Sequence, residues 1–151
     1  MKRYGFPLAR VLAFRRLQRD MERAALERAL AEVRRIAELG EQVRRETEAT
    51  AHDLVTRPPG EPVDGTQLAG LDGYRRYLKR VAAEVDLHHR RAEVAAGNQR
   101  LKLVEAERRM KVLEHLEART RKEWDAALNK EIEEFAGEAF LARRARGPRG
   151  G

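Results

Sequence analysis

Apolar side chains recur at intervals of three and four along nearly the whole chain, and one short stretch breaks the pattern. That break is Arg57-Pro58-Pro59-Gly60-Glu61-Pro62-Val63-Asp64-Gly65. Three of the five prolines fall in it; each lacks an amide donor and clashes with a preceding helical turn. Before the break the apolar row starts Leu8, Val11, Leu12, Phe14, Leu17, Met21, Ala24. It becomes a heptad seam of Leu26, Ala29, Val33, Ile36, Gly40, Val43, Thr47, Thr50 and Leu54. Beyond the break the seam reads Leu71, Tyr74, Leu78, Val81, Val85, His88, Ala92, Ala95, Gln99, Leu103, Ala106, Met110, Leu113, Glu117, Thr120, Trp124, Ala127. The two consecutive steps of four, Ala95 to Gln99 to Leu103, form a stutter that locally unwinds a left-handed supercoil. It lies beside Gly97 and Asn98, poor helix formers.

These patterns predict helix one over about 7–56, a Pro/Gly turn over 57–66 and helix two over about 67–143. Pro7 suits a first helical turn, where its missing amide would be unpaired anyway. Thr66 and Asp72 both qualify as the N-cap of helix two. A tail over 146–151, with Gly147, Pro148, Gly150 and Gly151, is expected to be disordered. The predicted fold is all-α, a long antiparallel two-helix coiled-coil hairpin with unequal arms. At 1.5 Å per residue the arms span roughly 75 and 110 Å. Folding back at Pro58 sets Leu54 near Leu71 and Leu8 near Leu116. Residues after about Arg119 then project without a partner, and they include Trp124, Leu128, Ile132, Phe135, Phe140 and Leu141. Apolar residues on an unpaired helix imply fraying or a docking partner. The first arm weakens after Gly40, where Thr47 and Thr50 take seam positions.

Composition sharpens this reading. Aromatic residues make up 5% of the chain and charged residues 38%, against a usual charged quarter, so stability resides in a narrow seam rather than a thick core. The absence of cysteine excludes disulfides and thiolate metal sites. Arg10, Arg15 and Arg16 interrupt the apolar stretch at the N-terminus, unlike a signal peptide. No apolar run approaches the roughly 20 residues that span a bilayer, which predicts a cytoplasmic or peripheral membrane protein. The net charge of +7 is concentrated at the ends. Lys2, Arg3, Arg10, Arg15, Arg16 and Arg19 have no acid among them, nor do Arg143, Arg144, Arg146 and Arg149. Such ends either solubilise the chain or dock on an acidic surface.

Candidate chemistry is sparse. His88 and His89 are adjacent on a helix and point about 100° apart, so they cannot share one ion. His88 falls on the apolar stripe, as a structural or contact residue; His52 and His115 stand alone. The many Glu residues have no concave site to work in, and no phosphate loop or nucleophile motif is present. No catalysis, metal or cofactor is expected. Nucleic-acid binding finds some support in the basic ends with Tyr4, Phe6 and Phe14, but the 25 acidic residues and the lack of a basic zipper region oppose it. Phe6, Leu8, Val11, Leu12 and Phe14 with flanking Arg also suit a membrane surface. A generic coiled-coil scaffold is the alternative without specific chemistry.

Four blocks in order carry a family resemblance. Phe6-Pro7-Leu8-Ala9-Arg10-Val11-Leu12 with Phe14-Arg15-Arg16-Leu17 resembles the start of flagellar export proteins of the FliJ family. Gly73-Tyr74-Arg75-Arg76-Tyr77-Leu78-Lys79-Arg80-Val81 through His88 resembles the opening of that family's second helix. Arg109-Met110-Lys111-Val112-Leu113-Glu114-His115-Leu116-Glu117-Ala118-Arg119 and Ile132-Glu133-Glu134-Phe135-Ala136 with Arg143-Arg144 are similar to its later blocks. The resemblance implies a non-enzymatic component of the type III export apparatus at the cytoplasmic face of the inner membrane. Its implied partners are the hexameric FliI-like export ATPase, the linker of the FlhA-like membrane export gate, and export chaperones. By resemblance the gate contact falls on Tyr77, Val81 and His88, with Glu84 where a small apolar residue is usual. The expected ATPase contact uses Arg3, Phe6, Leu8, Arg10, Arg15, Arg16, Trp124, Leu128, Ile132, Phe135, Phe140, Arg143 and Arg144.

Overall fold

A computed structural model describes residues 3–147. Two helices account for nearly all of them, α1 (Ala9–Val55) and α2 (Gly65–Ala145), and they pack against each other as an antiparallel hairpin of unequal arms. No strand occurs among the described residues. The predicted tail residues 148–151 lie outside the described residues, as does Lys2.

The turn follows from its residues. Thr56 closes α1 by donating its amide (3.0 Å) and its hydroxyl (2.9 Å) to the His52 carbonyl. Arg57, held away from helix by Pro58, ends it. Gly60 adopts φ 107°, a conformation that L side chains rarely take. α2 then starts earlier than the sequence reading placed it. Asp64, rather than Thr66 or Asp72, is the cap: its Oδ1 accepts the Thr66 amide at 3.1 Å and its carbonyl accepts the Leu68 amide at 3.1 Å. A carboxylate there also suits the positive end of the helix dipole. At the far end Gly147, with φ 53°, donates to the Arg144 carbonyl at 3.3 Å, a left-handed glycine stop.

The helices form two compact units, one joining residues up to Arg19 with residues from Glu105 onward, the other spanning Asp20–Val104. In the first unit Phe6, Leu12 and Met110 are buried together, with Tyr4 and Leu113 packed around them. Burying side chains of this size stabilises by about 1.5–3 kcal/mol each. The seam here departs from the expected apolar row. Arg15, Gln18 and Arg19 are half-buried while Phe14 and Leu17 are 53% and 57% exposed. Continuing from Leu12 in alternating steps of three and four leads through Arg15 and Arg19. The apolar row Leu8, Val11, Phe14, Leu17 advances in threes and so winds off the seam.

In the second unit Ile36, Thr50, Leu78 and Ala96 are buried. The buried Thr50 donates its hydroxyl back to the Glu46 carbonyl at 2.8 Å, which satisfies it without a partner across the seam. Met21 is exposed, and Glu22 is half-buried in its stead, its carboxylate and its carbonyl (3.2 Å) both accepting from Gln99. The α2 seam runs Leu78, Val81, Val85, His89, Ala92, Ala96, Gln99 and Leu103. His88 and Ala95 are exposed, so two of the expected seam residues are replaced by their neighbours. The stutter therefore lies at Val81-Val85-His89, opposite Gly40, where a β-carbon would sit 3.5 Å from Val85 Cγ1. Gly97 and Asn98 stay on regular helix. Ala95 and Ala96 are equal in volume, so size could not reveal which one faces inward; the larger Val85 packing on Gly40 sets the register.

Candidate partner-binding surfaces

The surface at the open end of the hairpin begins with a polar clamp. Tyr4 precedes α1, yet its hydroxyl lies 2.8 Å from Thr120 Oγ1 and donates to the Glu117 carbonyl at 3.2 Å. Its ring meets the Trp124 ring, centroids 5.8 Å apart at 58°, and the Arg121 guanidinium lies 5.9 Å from its centre. Trp124 is thus half-buried against the N-terminal segment, not part of an overhang starting at Arg119. Leu128 is also half-buried. For Trp124 the reason is that Tyr4, though ahead of α1, reaches along α2 as far as the Trp124 ring.

From Asn129 to Gly147 every residue is exposed. Ile132 (45%), Phe135 (74%), Phe140 (63%) and Leu141 (64%) therefore present apolar surface with no cover among the described residues. Arg143 and Arg144 sit in the last turn of α2, favourably placed against its negative dipole end. Phe6 does not belong to this surface: it is buried in the unit core, because Pro7 and the short turn ahead of α1 fold it under Leu12. Leu8 is 37% exposed. Arg15 is occupied by Gln18 at 2.8 Å and by the Phe14 ring at 5.9 Å. Arg16 pairs with Glu114 at 3.2 Å. Arg3 and Arg10 are exposed and make no ion pair among the described residues.

A second surface lies on α2 in the other unit. Tyr77, Val81, Glu84 and His88 follow one another at steps of four, three and four, which sets them on one helix face. Tyr77 is 51% exposed and stacks on Tyr74, centroids 6.1 Å apart at 23°. Val81 is half-buried at the seam, while Glu84 and His88 are exposed. His88 lines a shallow groove with Glu32, Arg35, Ile36, Leu39 and Val85. On the opposite flank a wider groove runs past Ile36, Gly40, Val43, Ala82, Val85 and His89, opened by the missing side chain of Gly40. Sequence reasoning missed these grooves, and the weakness of the seam beyond Gly40 was the available signal. It also missed the hydrogen bond from Tyr74 to Glu46, 2.9 Å, which raises the phenol above its ordinary value.

Among the described residues no group of three or more His, Asp or Glu is arranged to hold a metal, and no helix is long and apolar enough to cross a membrane. The surfaces present apolar ridges, aromatic anchors and cations. Searches against family models, curated proteins and solved structures return no match.

Proposed function

We propose that this chain is a non-enzymatic component of a flagellar type III export apparatus, engaging a hexameric export ATPase through the open end of the hairpin. The observation that carries the reading is the stretch 129–147. A helix that outlasts its partner, bearing Ile132, Phe135, Phe140 and Leu141 beside Arg143 and Arg144, is built to be completed by another protein. The order of sequence blocks resembling the FliJ family supports the identity of that protein. Trp124 and Leu128 form the base of this surface, and Arg3, Leu8 and Arg10 add to it from the N-terminal side, whereas the burial of Phe6 removes it from the contact set. In the same reading the face of Tyr77, Val81 and His88 meets the linker of the membrane export gate, and export chaperones are further partners. Glu84 on that face makes a basic or polar neighbour on the linker the expected match.

The test is binding to, and stimulation of, the purified export ATPase. Full-length protein is expected to bind and to raise ATP turnover, and a chain ending after Leu128 is expected to do neither while retaining its helix content. A full-length chain without effect on the ATPase sinks the reading.

A further inference from the structure

α2 carries a second heptad seam that α1 does not cover. Ala83, Leu87, Arg90, Val94, Gly97, Leu101 and Val104 follow one another in steps of four and three, without a break, over three heptads. All seven are exposed: Leu87 47%, Val94 64%, Leu101 68% and Val104 56%. Apart from its chain neighbours and its own helix backbone, no atom of the described residues comes within 4 Å of where a Gly97 β-carbon would be. The residues that face α1 in this unit, Leu78, Val85, His89, Ala96 and Leu103, are close to the opposite side of the same helix. A helix with apolar heptads on two faces is patterned for two neighbours, and among the described residues only one is present.

The charges beside this seam say what the second neighbour is. With Leu87, Val94 and Leu101 as a positions, the g positions are Lys79, Asp86 and Glu93, and the e positions five residues on are Glu84, Arg91 and Asn98. In a parallel pair of helices each g side chain meets the e side chain five residues on in its neighbour. Two copies of this chain would therefore set Lys79 against Glu84, Asp86 against Arg91 and Glu93 against Asn98, twice each, with no like charges meeting between g and e positions; the one like-charge encounter is Arg90 with its own copy at the d position. The next pair in the sequence, Arg100 and Glu105, has complementary signs as well. The antiparallel register centred near Ala92 instead sets Arg91 against Arg91 and Glu93 against Glu93. Arg90, at a d position, is held by Asp86 along its own helix, so each Asp86 carboxylate would stand between Arg90 of its own helix and Arg91 of the copy and offset the repulsion between the two Arg90 side chains. We propose that a second copy of this chain pairs with this one, in parallel and in register, through the outward face of α2 between Ala83 and Val104. Three heptads interrupted by Arg90 and Gly97 make a small interface, so the pair dissociates on dilution. The inference does not depend on the export reading; an inactive ATPase assay leaves it untouched.

Sedimentation equilibrium of the full chain over a wide concentration range is the test. A monomer–dimer equilibrium is expected. Leu87→Glu with Leu101→Glu, both exposed in the single chain, is expected to weaken the dimer by about 100-fold or more while circular dichroism is unchanged. Asp86→Arg is expected to weaken it, and adding Arg91→Asp to restore it. The chain has no cysteine, so Val94→Cys reports orientation: oxidation is expected to link two copies at that residue. A chain that stays monomeric throughout overturns the proposal and leaves the face to a helix of another protein. So does a dimer that survives the double Glu substitution, or one in which Val94→Cys forms no link.

Discussion

Tyr4 does the work of a missing helical turn. Beside the buried Phe6, it ties the segment ahead of α1 to α2, by one hydrogen bond to the Glu117 carbonyl, a second with Thr120 and a ring contact with Trp124. A net hydrogen bond contributes about 1 kcal/mol, and an aromatic pair about as much beyond its area. Tyr4→Phe, which removes both hydrogen bonds, is expected to cost about 2 kcal/mol and Tyr4→Ala about 3 kcal/mol, read by thermal unfolding. Because Trp124 is the single tryptophan, its fluorescence should shift to the red in Tyr4→Ala and little in Tyr4→Phe. Tyr74 gives a pH test. The hydrogen bond to Glu46, then desolvation and the Glu46 charge, hold its phenol above the ordinary value of 10.0. A raised folded value favours the protonated phenol, so this contribution is complete below the unfolded value and fades as pH rises through the folded one. In a chain with Tyr4 and Tyr77 replaced by Phe, phenolate absorbance should titrate above the ordinary tyrosine value, and Glu46→Ala should bring it back down. An unchanged titration after Glu46→Ala removes the hydrogen bond from the account. Neither partnership was legible in the sequence, since Tyr4 stands outside any heptad and Glu46 outside the seam.

At the scale of the elements, the heptads place the helices but not the register between them. The break at Pro58 and the helical periods are local consequences of proline geometry and side-chain spacing, and both were readable. The inward-facing residues of weak stretches were not. Between Leu12 and Leu26 the apolar side chains Phe14, Leu17 and Met21 point outward while Arg15, Arg19 and Glu22 sit at the seam. Hydrophobicity misleads there because the register is imposed by the better-packed stretches on each side. The same holds for His89 against His88 and Ala96 against Ala95. Gly40 is the clearest case for experiment. It lies within α1, and a methyl group in its place would meet Val85 Cγ1 at 3.5 Å, an ordinary contact distance. Gly40→Ala removes the helix penalty of glycine, about 1 kcal/mol, without forcing a clash. For a chain of 151 residues, unfolding should occur about 2–4 °C higher. A lower unfolding temperature means that Val85 and its neighbours cannot accept the methyl group, and that the seam is tighter there than the contact distance implies.

At the scale of the molecule, the unequal arms divide residues that hold the fold from residues that are free to meet a partner. The exposed stretch 129–147 has no cover among the described residues, so ending the chain after Leu128 should leave the unfolding temperature within a few degrees of the full chain. A drop well beyond that shows that the stretch is tied back into the hairpin. Loss of ATPase stimulation in the same truncated chain is the functional counterpart. The sequence by itself determined that there are two long helices, that they fold back at Pro58, and that one outlasts the other. These follow from proline chemistry, heptad spacing and residue count, all of which act locally. Only the tertiary structure decided that Phe6 is buried and Trp124 clamped, that the overhang starts after Leu128, and that the stutter lies over Gly40. Those outcomes depend on which side chains meet across the seam, and where polar and small residues occupy a seam, no single chain segment carries enough preference to settle it.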